Sequence, residues 1–411
     1  MDRYPYVIIG GGLAGGRACE GIRRIDSDGP VMLITTEPHR PYQRPPLSKA
    51  YLMGKAGLEK VYLQEEGYYD GQGIEIHSGA TVARIDRHDH TIALDGGRSV
   101  GYERLLIATG ATAIRLPLPG ADLDGVHTLR TIEDSDRIRK DAAGARRMLI
   151  IGGSFIGSEV ASSLSQQGIE GAMVFLEQRL LERVVPRELS HHLTHMYREH
   201  GVRVLPTVKP VRLEGDGRVQ RAVLDNGETL AVDLVVMGVG VRLNSSLARE
   251  AGLEMGERGA VIVDAQLRTS DPDIYAAGDI AAWPDPTFGR RLRVEHWDVA
   301  RAQGLRAGRN MAGEARAYTT VPYFFSDLYD LSFEVWGDLT TWDTTVQRGE
   351  LDGGPFTIFY FYEGRMVGAL AAALPDPERK PLQALVRTRP EYAAVASRLA
   401  DASVALESMT A

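Results

Sequence analysis

The chain has 411 residues, a length that suits about two or three domains. With 44% hydrophobic and 25% charged residues, its composition is that of a globular protein rather than a disordered or fibrous one. Its formal net charge of −8 argues against nucleic acid as the main partner, because phosphate binding needs a basic face. A single cysteine, Cys19, excludes an intrachain disulfide and a redox-active cysteine pair. The first strand is predicted to start by Tyr6, which leaves no room for a signal peptide, and no apolar run reaches transmembrane length, so we expect a cytoplasmic protein.

The first predicted element is a strand over residues 6–9, an apolar and β-branched run typical of a strand buried in a parallel sheet. A helix is predicted from Leu13 to about Arg24. Between the two, Gly10, Gly12 and Gly15 fit the G-x-G-x-x-G spacing of a dinucleotide-binding turn. In that turn the first glycine makes the bend, the second lets a diphosphate approach, and the third lets the helix pack on the strand.

A second strand is predicted over residues 31–34, and it ends close to Glu37. This carboxylate lies 22 residues after Gly15, where it could accept hydrogen bonds from an adenosine ribose. A strand, a helix and an acid at the right spacing together favour a nucleotide site over an ordinary glycine-rich turn.

The glycine pattern recurs in MLIIGGSFIGSEVASSL, which begins at Met148. Gly152 and Gly157 occupy the outer positions, and Ser154 replaces the middle glycine while still offering a hydrogen-bond donor. After a predicted strand over residues 172–175 comes Glu177, and a carboxylate there prefers the free 2′-hydroxyl of NADH to the 2′-phosphate of NADPH. Arg179 is the competing feature, since it could neutralise a 2′-phosphate.

Two dinucleotide sites in one chain call for two dinucleotides. The economical pairing is a bound FAD that takes hydride from a diffusing NADH. These two cofactors are the ones we predict.

Several further stretches carry a family resemblance: IIGGGLAGG, PYQRPPLSK at 41–49, LLIATGA at 105–111, IYAAGDIA at 274–281 and RVEHWDVARAQG at 293–304. Together with the second glycine turn they resemble the ferredoxin (rubredoxin) reductase family of FAD enzymes, over nearly the whole chain. SFIGSEVA, VEHWD and YFFSDLYD also look like the apoptosis-inducing-factor branch of that family.

The resemblance implies an α/β fold with two Rossmann-like dinucleotide-binding domains, for FAD and NAD, and a C-terminal α+β interface domain. The implied FAD domain is discontinuous, over residues 1–113 and 244–321. The NAD domain covers 114–243 and the C-terminal domain 322–411. In the last segment, PFTIFYFY, a turn at Glu363-Gly364, RMVGALAAAL and a helix are predicted.

The resemblance also assigns roles to single residues. Lys49 would place its ammonium beside the flavin N5, paired with Glu159, and these two are the predicted catalytic residues. Asp279 would accept a hydrogen bond from the ribityl chain of FAD. The predicted FAD-side residues are Gly10, Gly12, Leu13, Ala14, Gly15, Glu37, Arg44, Lys49, Val82, Thr109, Gly110, Arg130, Asp279, Glu295, His296, Trp297 and Phe325. The predicted NAD-side residues are Gly152, Ser154, Phe155, Ile156, Gly157, Glu159, Glu177 and Gly240.

The function this implies is transfer of hydride from NADH to FAD and of single electrons to a small carrier such as a [2Fe-2S] ferredoxin. Two alternatives stay open: an NADH oxidase or quinone reductase, and a redox-sensing protein with slow turnover similar to apoptosis-inducing factor. GRRLR at 289–293 is the basic stretch that could steer an acidic ferredoxin. A homodimer is a further expectation.

Two features are assigned no catalytic role. His191 and His195 are spaced like zinc ligands on a helix, with His192 between them, but no third ligand is identifiable and no metal is expected. Cys19 lies on the first predicted helix and is expected to be a buried small hydrophobe.

Overall fold

A computed structural model describes residues 1–351 and 353–410. The chain divides into two compact units. Unit 1 comprises Met1–Arg44, Leu58–Thr112 and Arg242–Tyr323, and unit 2 comprises Pro45–Gly57, Ala113–Val241 and the chain from Phe324 onward.

The strands follow one another along the chain as β1 (Asp2–Ile9), β2 (Val31–Thr35), β3 (Ile74–Ser78), β4 (Val82–Asp86), β5 (Thr91–Leu94), β6 (Ser99–Ile107), β7 (Ala111–Ala113), β8 (Val126–Thr128), β9 (Arg147–Ile151), β10 (Glu170–Phe175), β11 (Val202–Pro206), β12 (Pro210–Glu214), β13 (Arg221–Leu224), β14 (Thr229–Ala231), β15 (Leu234–Met237), β16 (Val241–Leu243), β17 (Val261–Ile262), β18 (Ile274–Ala276), β19 (Ala281–Asp285), β20 (Arg290–Leu292), β21 (Tyr323–Leu328), β22 (Leu331–Gly337), β23 (Thr344–Gly349), β24 (Phe356–Tyr362) and β25 (Arg365–Ala372).

The α-helices are α1 (Leu13–Arg23), α2 (Tyr68–Gly71), α3 (Ile132–Ala142), α4 (Phe155–Ser165), α5 (Arg187–Glu199), α6 (Ser246–Glu250), α7 (Trp297–Met311), α8 (Asp376–Thr388) and α9 (Tyr392–Ala400).

Unit 1 is built on a sheet in the order β3-β2-β1-β6-β5-β4, with β18 also paired to β6. Strands β3, β2, β1, β6 and β18 run parallel, whereas β5 and β4 continue the sheet antiparallel. Val7 and Ile8 of β1 are fully buried, as expected for a β-branched strand covered on both faces. Because the chain leaves β1 towards β2 and later returns to β6 on the other side, the carboxyl end of β1 is the topological switch point where such sheets bind ligands.

Unit 2 repeats this plan with the all-parallel order β11-β10-β9-β15-β8. Its core includes the buried Leu149, Val174 and Val235 from three neighbouring strands. Here the carboxyl end of β9 is the switch point, and Gly152 follows it directly.

Two antiparallel sheets complete unit 2: β12-β13-β14, and β21-β22-β25-β24-β23 near the C-terminus. The predicted hairpin of PFTIFYFY and RMVGALAAAL is present as β24 and β25, with Glu363 at a positive φ of 48° in the turn, and α8 follows as predicted. The predicted α/β fold with Rossmann-like halves and a C-terminal domain is confirmed.

The domain boundaries remain a prediction. The structure places residues 45–57 in unit 2, whereas the sequence kept them with residues 1–113. It also groups the C-terminal segment with residues 113–241 in one compact unit.

Candidate functional site

The first glycine turn joins β1 to α1 in unit 1. At two of its positions, the surrounding backbone leaves no room for any residue but glycine. Gly10 has a φ of +118°, and a Cβ there would lie 2.2 Å from the carbonyl oxygen of Ala108. A Cβ on Gly15 would lie 1.9 Å from the carbonyl oxygen of Gly10. A side chain at either position would collide with backbone, so only glycine fits.

Gly12 differs, because a Cβ there would meet no described atom within 4 Å. Gly12 is the N-cap of α1 and supplies no side-chain hydrogen bond to the first turn. By contrast, Thr131 and Asp134 form a complete capping box at the start of α3. The first turn of α1 therefore faces open space with backbone N–H groups that no side chain caps, which suits an anion such as a diphosphate.

The second glycine turn joins β9 to α4 in unit 2 with the same geometry. Gly152 has a φ of +118° and its Cβ would lie 2.3 Å from the carbonyl oxygen of Gly238, while a Cβ on Gly157 would lie 2.2 Å from that of Gly152. Ser154 is the N-cap, but its side chain does not cap α4. Its hydroxyl instead donates to the carbonyl of Gly238 at 3.2 Å, so the donor that the sequence suggested for a diphosphate is engaged with the backbone.

Glu37 follows β2 in unit 1, beyond the strand end as predicted. One of its carboxylate oxygens pairs with Arg44 at 3.0 Å and the other accepts a hydrogen bond from the hydroxyl of Tyr42. Arg44 also donates to Tyr42 at 2.9 Å, so the three side chains form a closed triangle. Tyr42 was not identified from the sequence, although it lies inside the PYQRPPLSK stretch.

Glu177 occupies the corresponding place after β10 in unit 2. It pairs with Arg183 at 3.2 Å, whereas Arg179 pairs with Glu182 at 3.3 Å. The cation facing Glu177 is therefore Arg183, which sequence reasoning missed, and the competing role considered for Arg179 stays a prediction.

The AAGD segment begins at Ala276, the last residue of β18 in unit 1. Gly278 has a φ of +80°, and Asp279 beside it is largely buried. Thr109, just after β6, donates its hydroxyl to the carbonyl of Asn244 at 2.5 Å, and the side-chain amide of Asn244 returns a hydrogen bond to the carbonyl of Thr109 at 3.1 Å. This reciprocal pair fixes the turn at Gly110, whose φ is +63°.

The remaining predicted residues of unit 1 lie at the ends of its elements. Val82 is buried at the start of β4. His296 is the N-cap of α7 and Trp297 its first residue. Glu295 forms an ion pair with Arg293 at 2.6 Å. Leu13 and Ala14 are buried in the first turn of α1.

In unit 2, Phe155 opens α4 and packs edge-on against Phe324 with a centroid distance of 4.9 Å. Ile156 next to it is 40% exposed. Arg130 precedes α3, where its backbone N–H donates to Asp134 at 2.9 Å. Gly240 has a φ of +103°.

Lys49 and Glu159 are paired, as the resemblance implied. The ammonium of Lys49 lies 2.6 Å from one carboxylate oxygen of Glu159, which is 5% exposed. Ser326 of β21 donates to that same oxygen at 2.8 Å, and Ser48 donates to the other oxygen at 2.5 Å. Phe325 presents its ring 5.6 Å from the ammonium. All five residues lie in unit 2, and the carboxylate has three donors, two of which the sequence did not reveal.

The basic stretch at 289–293 is less available than the sequence suggested. Arg291 donates to the backbone carbonyls of Val263 and Ala282 at 2.7 and 2.8 Å, and Arg293 is bound to Glu295. These two guanidinium groups hold the local structure of the β19–β20 region rather than presenting free charge.

Cys19 is fully buried on α1, and burial raises the pKa of its thiol to about 12. The prediction that Cys19 is buried is confirmed. Within residues 1–351 and 353–410, no group of three or more His, Cys, Asp or Glu side chains could hold a metal ion. His195 pairs with Glu199 on α5 at 3.3 Å. None of the helices in the described part of the chain combines the length and apolarity needed to cross a membrane.

Comparison with known proteins decides the family. Residues 4–304 match the family model described as pyridine nucleotide-disulphide oxidoreductase, and residues 323–410 match the one described as reductase C-terminal. The chain belongs to the pyridine nucleotide-disulphide oxidoreductase family. This membership confirms the predicted class, an FAD-dependent oxidoreductase that works with NAD(H).

The chain is similar to three known proteins over nearly its whole length. The ferredoxin–NAD(+) reductase component of the anthranilate 1,2-dioxygenase system of Burkholderia cepacia is 35% identical over 91% of this chain and 92% of its own length. The ferredoxin reductase for the CYP199A2 system of Rhodopseudomonas palustris has a solved structure with a TM-score of 0.92 and 33% identity, covering 99% of this chain and 100% of that one. The covalent putidaredoxin reductase–putidaredoxin complex gives a TM-score of 0.92 and 30% identity, covering 99% and 98%.

Proposed function

We propose that the chain takes hydride from NADH onto a bound FAD and passes the electrons one at a time to a small iron–sulfur protein of the ferredoxin type. The observation that carries this is the pair of glycine turns, each at the switch point of its own parallel sheet and each followed by a helix without a side-chain cap. The acceptor class is supported by the relatives, two of which are named as ferredoxin reductases and a third of which is complexed with putidaredoxin.

FAD fits unit 1. The open space in front of Gly12 admits a diphosphate that a side chain would obstruct, and the buried Asp279 lies on the turn after β18, where the family resemblance expects the ribityl chain. Bound FAD supplies the ability to accept a hydride and to release electrons singly. Gly10 and Gly15 allow the tight strand-to-helix turn that brings the N-terminus of α1 to the diphosphate.

NADH fits unit 2. The first turn of α4 would bind its diphosphate, and Glu177 would accept hydrogen bonds from the adenosine ribose once Arg183, which is 83% exposed, moves aside. The partly exposed Ile156 offers apolar surface to the dinucleotide. We propose that Lys49, fixed by Glu159, supplies the positive charge that favours hydride transfer.

Stopped-flow spectroscopy of the purified holoprotein tests this function. We expect NADH to bleach the flavin within the turnover time, and cytochrome c reduction to require an added ferredoxin from the same organism. Rapid bleaching with no stimulation by any host ferredoxin would contradict the acceptor. Turnover with oxygen or quinone alone would instead identify an oxidase or quinone reductase.

The motifs that look like those of apoptosis-inducing factor support one further candidate, a redox sensor that turns over slowly. That candidate predicts slow reduction of every acceptor and a shift in size-exclusion volume when NADH is added. The same chromatography tests the expected homodimer. The cytoplasmic location remains a prediction.

A further inference from the structure

Gln303 of α7 carries a buried amide that the protein uses only in part. The side chain is 0% exposed, and its oxygen Oε1 accepts a hydrogen bond from the backbone N–H of Gly278 at 2.9 Å. Because this contact needs an acceptor, it fixes the orientation of the amide and makes the other atom, Nε2, the donor. Among the described residues Nε2 has no hydrogen-bond partner.

A second side-chain amide on the same helix, that of Asn310, has hydrogen-bond partners within the protein for both of its polar atoms. Asn310 donates from Nδ2 to the carbonyls of Gln266 and Arg316 at 2.8 and 2.9 Å, and its Oδ1 accepts from the N–H of Arg316 at 2.9 Å. Buried donors without partners are uncommon in folded proteins, because each costs the free energy of its lost hydration. The unused donor of Gln303 is therefore available to a partner outside the polypeptide.

The surroundings of Gln303 indicate what that partner is. The next residue, Gly304, packs against the first turn of α1 so closely that a Cβ would lie 2.2 Å from the carbonyl oxygen of Ala14. A Cβ on Gly278 would lie 3.3 Å from the Cβ of Ala14. Gln303 thus belongs to the place where α7, the turn before Asp279 and the open N-terminus of α1 meet, all within unit 1.

We propose that Gln303 is a binding residue for FAD, holding the turn at Gly278 through Oε1 and donating from Nε2 to an oxygen of the FAD diphosphate. The assignment rests on the proposed function, since it requires FAD in unit 1. It adds a neutral amide donor from α7 to the backbone N–H groups of α1.

Titration of apoprotein with FAD, followed by quenching of the FAD fluorescence, tests the proposal. Gln303→Met removes both polar atoms at similar length, and Gln303→Glu keeps the acceptor for Gly278 but replaces the donor with an oxygen. We expect each variant to bind FAD about tenfold or more weakly, the range of a lost hydrogen bond to a charged group. Asn310→Asp is the matched control, because it removes an amide that only the protein uses; it should lower the apoprotein Tm and leave the Kd for FAD within about twofold.

Competition by ADP and adenosine locates the donor. ADP carries the diphosphate without the ribityl chain. Gln303→Met should therefore weaken the binding of ADP by a factor similar to that for FAD and leave the binding of adenosine unchanged. Unchanged ADP affinity would overturn the assignment to the diphosphate. If wild-type apoprotein binds FAD and both Gln303 variants bind it equally well, the inference fails alone; if wild-type apoprotein binds no FAD, the proposed function fails first.

Discussion

Glu159 illustrates at the residue scale how a buried charge is kept. Its carboxylate receives the ammonium of Lys49 and the hydroxyls of Ser48 and Ser326, at 2.6, 2.5 and 2.8 Å. Burial makes an unpaired carboxylate costly, so each donor offsets part of the lost hydration. The same contacts restrict the lysine to one orientation, which is what an electrostatic role in hydride transfer requires.

Replacing Lys49 should affect both the free energy of unfolding and the rate of flavin reduction, and a second variant distinguishes the two effects. We expect Lys49→Met to lower the free energy of unfolding by about 2–4 kcal/mol, because it leaves a buried carboxylate with only its two serine donors. Lys49→Met combined with Glu159→Gln should recover at least half of that loss, since the charge is gone. Both variants should retain FAD and lose about 100-fold in the rate of flavin reduction by NADH. Urea unfolding and stopped-flow absorbance measure the two effects.

An unchanged reduction rate in Lys49→Met would remove this residue from the mechanism. A rate restored in the double variant would show instead that the single change acted through disorder around Glu159. The pair therefore distinguishes a charge effect from a packing effect.

The sequence could lead to Lys49 and Glu159 because both lie in motifs that carry the family resemblance. Ser48 and Ser326 also lie in such motifs, PYQRPPLSK and YFFSDLYD, but nothing in the motifs pairs either serine with Glu159, which is 111 and 167 residues away along the chain. Serine has no distinctive pattern in sequence, and its role here arises only from the tertiary fold. The same holds for Arg183, whose pairing with Glu177 depends on the loop after β10.

At the scale of elements, the two strand-turn-helix units show which glycines serve the fold and which serve a ligand. A Cβ added to any outer glycine of the two turns would lie 1.9–2.3 Å from a backbone oxygen, whereas a Cβ on Gly12 would meet nothing within 4 Å. Sequence spacing located both turns. It could not tell these two kinds of glycine apart, because that depends on which atoms lie opposite each Cβ.

Alanine substitution in the first turn should expose the difference. We expect Gly12→Ala to lower the free energy of unfolding of the apoprotein by at most about 1 kcal/mol, the cost of alanine at an N-cap. The same change should weaken the binding of FAD about tenfold or more, because the added methyl group crowds the diphosphate. Gly15→Ala is the contrasting variant, because its Cβ would lie 1.9 Å from the Gly10 carbonyl oxygen and must displace α1. Apoprotein Tm and the Kd for FAD report the two effects.

Equal FAD affinity in Gly12→Ala and wild type would show that the space in front of α1 is not the diphosphate site. A normal Tm in Gly15→Ala would show that α1 can shift away from β1 at little cost. Either result would contradict the assignment of Gly12 to ligand binding or of Gly15 to the packing of α1.

At the scale of the whole molecule, the order of segments along the chain predicted their grouping into compact units less well than local sequence patterns predicted the strands. Three of the parallel strands, β1, β2 and β10, and the C-terminal hairpin were predictable from apolar runs and turn residues. The grouping of residues 45–57 with unit 2 was not, because it depends on single long-range contacts. Ser135 donates to the carbonyl of Leu47 at 2.9 Å, and Ser163 to that of Ser48 at 2.6 Å. Such bonds leave no periodic signal in the chain.

The assignment of one dinucleotide to each unit makes a prediction for hydrogen exchange. FAD added to the apoprotein should slow amide exchange in residues 10–24 and 274–304, because the diphosphate binds the N–H groups of α1 and orders the turn before Asp279. NAD⁺ should slow exchange in residues 152–165 and leave those segments unchanged. Gly12→Ala supplies the control, since at limiting FAD it should lose protection in unit 1 and keep the response to NAD⁺ in unit 2. Protection of residues 152–165 by FAD without protection of residues 10–24 would reverse the assignment of cofactors to units. The two glycine turns are otherwise alike in geometry and differ chiefly in the residue at the middle position.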